Sequence, residues 1–216
     1  MSIALSIGNN LTTGGVFTAS AVNNTSVTNV TDFASVPGGG VLKLLSTQTA
    51  SASASLEFSL DDSYDSYIFK FINIHPSSDG SMFRFNLSTD GGSNYNVTKT
   101  TTSFLARHSE SGTGGDLQYK TGEDLAQSTS DQIIGIEVGA DADQNVNGTL
   151  QLFNPSSTTF VKHFIMSSNG NDAYSDFNYN FYVAGYGNTT SPITNIKFVM
   201  SSGNIDDGII KMYGVV

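Results

Sequence analysis

The sequence predicts an all-β chain: an antiparallel β-sandwich, jelly-roll-like, behind an extended N-terminal arm. Three observations carry this. Only 13% of the 216 residues are charged, while Ser, Thr, Asn and Gly make up 93 of them. The Glu, Lys and Arg that clothe soluble helices are therefore scarce. Apolar residues recur at every second position through much of the chain, which is the period of a half-buried strand. Gly-, Asn- and Ser-rich turns separate these runs at short intervals.

Residues 1–40 stand apart. They hold a single charged side chain, Asp32, and close with Val36-Pro-Gly-Gly-Gly40, which reads as a linker or broad turn. Ser26-Val-Thr-Asn-Val-Thr31 is β-branched but has no deep apolar face. The segment is therefore read as an arm that attaches to something else, and residues 41–216 as the sandwich domain.

Strands follow from Val41. Val41–Leu45 is short and apolar, and Leu56, Phe58 and Leu60 alternate with polar residues. Tyr67, Phe69 and Phe71 alternate with Ile68, Lys70 and Ile72, as on a strand buried on much of both faces. Phe83, Phe85 and Leu87 alternate with Arg84 and Asn86. Thr89-Asp-Gly-Gly-Ser93 then predicts a hairpin into Tyr95–Thr98. Further strands are expected near 103–107, 132–138, 148–153, 160–167, 180–185, 195–201 and 208–213, with one short helix at Thr121–Gln127.

Composition excludes several functions. A net charge of −10 opposes binding to nucleic acid, whose phosphates need Lys and Arg. There is no cysteine, so disulfides, thiolate metal sites and thiol catalysis are ruled out. No run approaches the roughly 18 apolar residues of a membrane helix, and the first ten residues lack the basic start of a signal peptide. No Gly-x-Ser-x-Gly elbow, Walker loop or dinucleotide fingerprint is present. His75, His108 and His163 stand alone, and the acidic pairs read equally well as solvated turns. The chain is accordingly read as no enzyme.

Two segments carry binding chemistry. Asp141, Asp143 and Asn145 place oxygens at alternate positions, like the first half of a calcium loop. Val146 and Leu152 stand where such a loop needs Gly and Glu, and the same residues make an ordinary polar turn. No cofactor is expected beyond that one candidate Ca2+ site. Asn171–Tyr182 mixes three tyrosines and two phenylalanines with amides and carboxylates. Tyr174, Asp176, Tyr179 and Tyr182 are its candidate ligand-binding residues, since tyrosine offers contact area at little rotamer cost.

Several strings resemble a family of structural proteins in marine tailed bacteriophages. They are Leu45-Ser-Thr-Gln-Thr-Ala-Ser-Ala-Ser-Ala-Ser55, Tyr67-Ile-Phe-Lys-Phe-Ile-Asn-Ile-His-Pro76 and Asn154-Pro-Ser-Ser-Thr-Thr-Phe-Val-Lys-His-Phe-Ile165. Val183-Ala-Gly-Tyr-Gly-Asn-Thr-Thr190, Met200-Ser-Ser-Gly-Asn204 and Ile210-Lys-Met-Tyr-Gly214 complete the set. The resemblance covers about residues 42–214 and implies a component of the virion, assembled in the host bacterial cytoplasm, with no catalytic residues to carry over. The expectation is a tail-fibre, tail-tip or baseplate-associated module that binds a host surface glycan or protein. It would be a homotrimer, joined to other virion proteins through residues 1–40, and inserted in no membrane. The alternatives are a capsid decoration (cement) protein and a tailspike-like glycan hydrolase.

Overall fold

The computed structural model describes residues 42–174 and 176–215; the arm assigned to residues 1–40 lies outside them. Twelve strands and no helix make up the described residues. They are β1 (Leu42–Thr49), β2 (Leu56–Ser59), β3 (Ser66–Pro76), β4 (Ser81–Ser88), β5 (Lys99–Ser109) and β6 (Gly115–Tyr119). β7 (Gln132–Val138), β8 (Val146–Phe153), β9 (Lys162–Asn171), β10 (Phe177–Gly187), β11 (Asn195–Met200) and β12 (Ile205–Val215) follow.

All pairings are antiparallel. One sheet has eight strands in the order β1-β12-β3-β8-β9-β10-β5-β6, and the other has four, β2-β11-β4-β7. Without β5, β6, β9 and β10, what remains is β1-β12-β3-β8 packed on β2-β11-β4-β7, the strand order of a jelly roll. The two extra hairpins both extend the larger sheet beyond β8.

Alternation decides what is buried. Phe69 and Phe71 of β3, Leu150 and Leu152 of β8, Phe164 and Met166 of β9 and Phe181 and Val183 of β10 point inward. They meet Phe83, Phe85 and Leu87 of β4 and Ile196 and Phe198 of β11 in one core. Phe69, Phe71, Phe83, Phe85 and Leu87 point inward as their alternation predicts. β3 is not buried on both faces, however: Lys70 is exposed and Ile68 and Ile72 are half-buried on its outer side, because among the described residues no layer covers that face of the sheet.

Three local expectations are corrected. Thr121–Gln127 is not helical. Its carbonyls and amides pair instead with the start of β5: Thr101 N–H donates to Leu125 O (2.8 Å) and Leu125 N–H to Thr101 Oγ1 (2.8 Å). The turn at Thr89–Ser93 exists, closed by Asp90, whose carboxylate accepts from Ser88 Oγ and from Asn94 N–H. These bonds hold the Asp90 pKa down to about 2. However, the chain after that turn crosses to the other sheet rather than forming a hairpin with β4. Finally, Ser111-Gly-Thr-Gly-Gly-Asp116 reads as a turn, yet its last two residues open β6, a strand whose residues are nearly all exposed.

β3 bulges at Asn73, where φ is 51°, and the register slips between Phe71 and Ile74. Opposite it, Gly208 has φ 121°, and a Cβ there would lie 2.7 Å from Asn73 O. Only glycine fits both the backbone and the space. Such bulges re-aim side chains at the end of a sheet.

Candidate functional site

The four tyrosine-segment residues do not form one site. Tyr179 is 2% exposed. Its ring packs over Gly170, and its hydroxyl accepts the Ile136 N–H at 3.0 Å. It ties β10 to β7 across the sandwich, as Ser168 Oγ ties β9 to Ile134 O (2.7 Å). Burial pushes the Tyr179 pKa up, so the phenol stays neutral. Tyr179 is therefore a core residue and leaves the ligand-binding set. Tyr179→Phe is expected to cost about 1–2 kcal/mol, because the buried Ile136 N–H loses its acceptor; chemical denaturation measures it.

Tyr174, 68% exposed, stands in the β9–β10 loop with its ring against Gly80. Asp176 shares that loop with φ 51°, and its carbonyl accepts the Glu110 N–H. Tyr182 has the opposite parity to Tyr179 and emerges on the outer face of the eight-stranded sheet, away from the core.

The loop read as a calcium site forms one wall of a polar cleft. The cleft, about 360 Å³, is lined by Asn73, His75, Ala142, Asn145, Asp206 and Asp207. His75 Nε2 lies 3.2 Å from Asp141 O, and Asn145 Oδ1 accepts from Asn147 Nδ2 at 2.6 Å. Asp141 and Asp143 are exposed. Among the described residues, no three His, Asp or Glu side chains converge to hold a metal ion.

A different surface is brought together by strand register. In the outer face of the larger sheet, Tyr119, Phe104, Tyr182, Ser167 and Thr149 stand side by side on five successive strands. The same row continues through Lys70 and Lys211. One step toward the β9–β10 loop lie Leu117, Ala106, Asn180, Asn169 and Asn147. One step the other way come Thr102, Ala184, Ile165 and Gln151, then Ile68, Tyr213 and Leu44. None of these three rows contains an Asp or a Glu, although the chain has 19 acidic residues. Among the described residues, Asp61, Asp90, Asp124 and Asp141 lie in loops between strands. Phe104 (43%), Tyr119 (55%) and Ile165 (58%) are exposed on this acid-free patch, whose charges are Lys70 and Lys211.

Phe104 and Tyr182 are stacked, with centroids 4.8 Å apart and planes 15° apart. That separation equals the spacing between strands, so the rings stand beside each other as upright plates rather than lying flat. Asn169 Nδ2 donates to Tyr179 O (2.7 Å), Asn178 Oδ1 (3.0 Å) and Asn180 Oδ1 (3.2 Å). The last of these bonds holds the Asn180 oxygen toward Asn169 on the neighbouring strand, and Asn180 Nδ2 has no acceptor among the described residues. A shallow depression of about 240 Å³ lies beside it, lined by Ala106, Arg107, His108, Asn178 and Asn180. Arg107 is already paired with Asp116 at 2.8 Å.

Sequence reasoning found Tyr182 but not its neighbours. No single segment contains them; they come from five strands. No family model, curated protein or solved structure matches this chain.

Proposed function

We propose that this protein is a structural component of a tailed-bacteriophage particle, a non-enzymatic module of the tail fibre, tail tip or baseplate that attaches to the host surface. The observation that carries the reading is the set of three adjoining rows on the outer face of the eight-stranded sheet that hold no carboxylate. A protein of charge −10 that keeps acids out of this aromatic and amide-rich patch has a surface suited to contact, since charged groups are costly to desolvate at an interface. The resemblance of residues 42–214 to virion proteins supports the same reading. In it, residues 1–40 join the module to the particle, copies assemble as a trimer, and the sheet face stays open to the host.

Quantitative mass spectrometry of purified particles against the major capsid protein, with antibody labelling, tests this. A few copies at the tail end are expected. Hundreds of copies over the head would make it a decoration protein and overturn the adhesive role. Deleting residues 1–40 is expected to abolish incorporation while residues 41–216 still unfold cooperatively on heating. Incorporation unchanged by the deletion would remove the arm's assigned role.

A further inference from the structure

We infer that the open face of Tyr182 is a seat for a neutral sugar ring. This rests on the attachment reading above and names the ligand of the same face.

The stacked pair has two outer faces. The Phe104 side is bordered by Tyr119 on β6, whose hydroxyl donates to Asp124 Oδ2 at 2.7 Å. The Tyr182 side is bordered by Ser167 and then Thr149, both exposed. Tyr182 is half-buried, and neither neighbour is long enough to cover the whole of an upright aromatic plate. The register leaves a stretch two strands wide, about 10 Å, with the Tyr182 ring on one side, Lys70 on the other and a floor of two hydroxyls. Asn180 and Asn169 bound it on one flank and Ile165 on the other. Among the described residues the Tyr182 hydroxyl has no hydrogen-bond partner, and neither does Asn180 Nδ2.

That arrangement matches the chemistry of a pyranose. The ring's C–H face is apolar and packs on an aromatic plate, while its rim of hydroxyls needs donors and acceptors around the edge. Pockets for small ligands combine these two elements, an apolar surface and a few placed polar groups. Charge narrows the class further. The protein's net charge of −10 repels acidic polysaccharides at a distance, and the three rows hold no carboxylate to take a cationic ligand. Lys70, the nearest cation in the row, has its ammonium 5.5 Å from the Tyr213 ring centroid. A neutral glycan is what remains.

The groups are held on paired strands, so little ordering accompanies binding. A single ring of about a dozen heavy atoms at ordinary ligand efficiency binds with Kd on the order of millimolar. Several copies on one particle would raise this by avidity, roughly a hundredfold or more.

The test is saturation-transfer NMR on the full chain. The probes are the methyl glycosides of glucose, galactose, mannose and N-acetylglucosamine, with an alginate oligomer as the acidic comparison. At least one neutral glycoside is expected to bind, and the alginate oligomer not to. Tyr182→Ala is expected to weaken binding about tenfold, the loss of one aromatic contact. Ser167→Phe continues the stack over the open face without touching the core, and is expected to weaken binding by as much. Leu117→Ala, on the same face but beyond the Phe104 plate, should change it less than twofold. Binding of no neutral glycoside, tighter binding of alginate, or binding indifferent to Ser167→Phe would overturn the proposal. So would sedimentation showing that copies associate through this face and separate on Ser167→Phe. A few tail-located copies that bind no sugar would leave the attachment reading standing with a protein as ligand. Sugar binding by copies spread over the head would do the reverse.

Discussion

Phe198→Ala is expected to destabilise the protein by about 3–5 kcal/mol, the range for emptying a buried Phe site. The residue is fully buried, and its ring touches five others. Phe58 of β2 lies at 6.1 Å between centroids, and Phe83 and Phe85 of β4 at 6.0 and 6.5 Å. These belong to its own sheet. Phe69 and Phe71 of β3, at 5.5 and 5.2 Å, belong to the opposite one. Phe198 therefore joins the two layers, and its removal leaves a void walled by aromatic rings on both sides. Rings fixed on paired strands collapse poorly into such a space, which places the cost high in the range. Since domains are stable by only about 5–15 kcal/mol, this one change removes a large share. Guanidinium denaturation measures it: the midpoint should fall with little change in slope. Phe160→Ala, at a 69% exposed position, is the control and should shift stability by less than about 0.5 kcal/mol. A loss at Phe198 under about 1 kcal/mol would mean that the sheets do not meet through this ring.

Much of this core was legible in the sequence, for a simple reason. Phe83-x-Phe85-x-Leu87 and Tyr67-x-Phe69-x-Phe71 each lie on a single strand, so their period is visible without any neighbour. β6 was not legible, because a strand with almost no buried residue leaves no apolar period. It exists because β5 offers an edge, with Phe104 to His108 paired to Tyr119 through Gly115. The helix expected at 121–127 lost to the same strand, whose first residues take its backbone partners. The parity of Tyr179 and Tyr182 was readable in principle. Tyr179, Phe181 and Val183 are the apolar parity of β10, which sets Tyr182 among Asn178 and Asn180 on the wet side. The acid-free patch itself was beyond sequence reading. Each of its rows takes one residue per strand from segments up to about 170 positions apart, and only the register aligns them.

Between about pH 8 and pH 10 the protein is expected to gain stability relative to a Lys99→Met variant, by up to about 3 kcal/mol. Lys99 is completely buried. Its ammonium donates to Asn86 Oδ1 at 2.6 Å and to Val97 O at 2.8 Å. Asn86 in turn donates from Nδ2 to Thr129 O and to Asp131 Oδ1, at 3.0 and 2.8 Å. Burial lowers the Lys99 pKa to about 8, against a smaller opposing pull from the Asp131 carboxylate. The sign follows from proton counts. Below pH 8 the lysine is charged whether the chain is folded or unfolded, so the folded state bears the full desolvation cost. Between pH 8 and the unfolded value of about 10.4, only the unfolded chain holds the proton, and raising the pH drives folding. Methionine has no proton to lose, so the difference between the two proteins isolates this one group. Tyr67, Tyr95 and Tyr179 act in the opposite direction at higher pH. Burial, aided at Tyr67 and Tyr95 by the carboxylates of Asp61 and Glu57, raises their pKa values. The folded state then keeps phenol protons that the unfolded chain releases above about pH 10, and stability falls. That loss is common to both proteins and cancels in the comparison. Guanidinium denaturation of each at pH 7, 8, 9 and 10 gives the result, and a difference that does not change with pH would mean that Lys99 is solvated rather than buried.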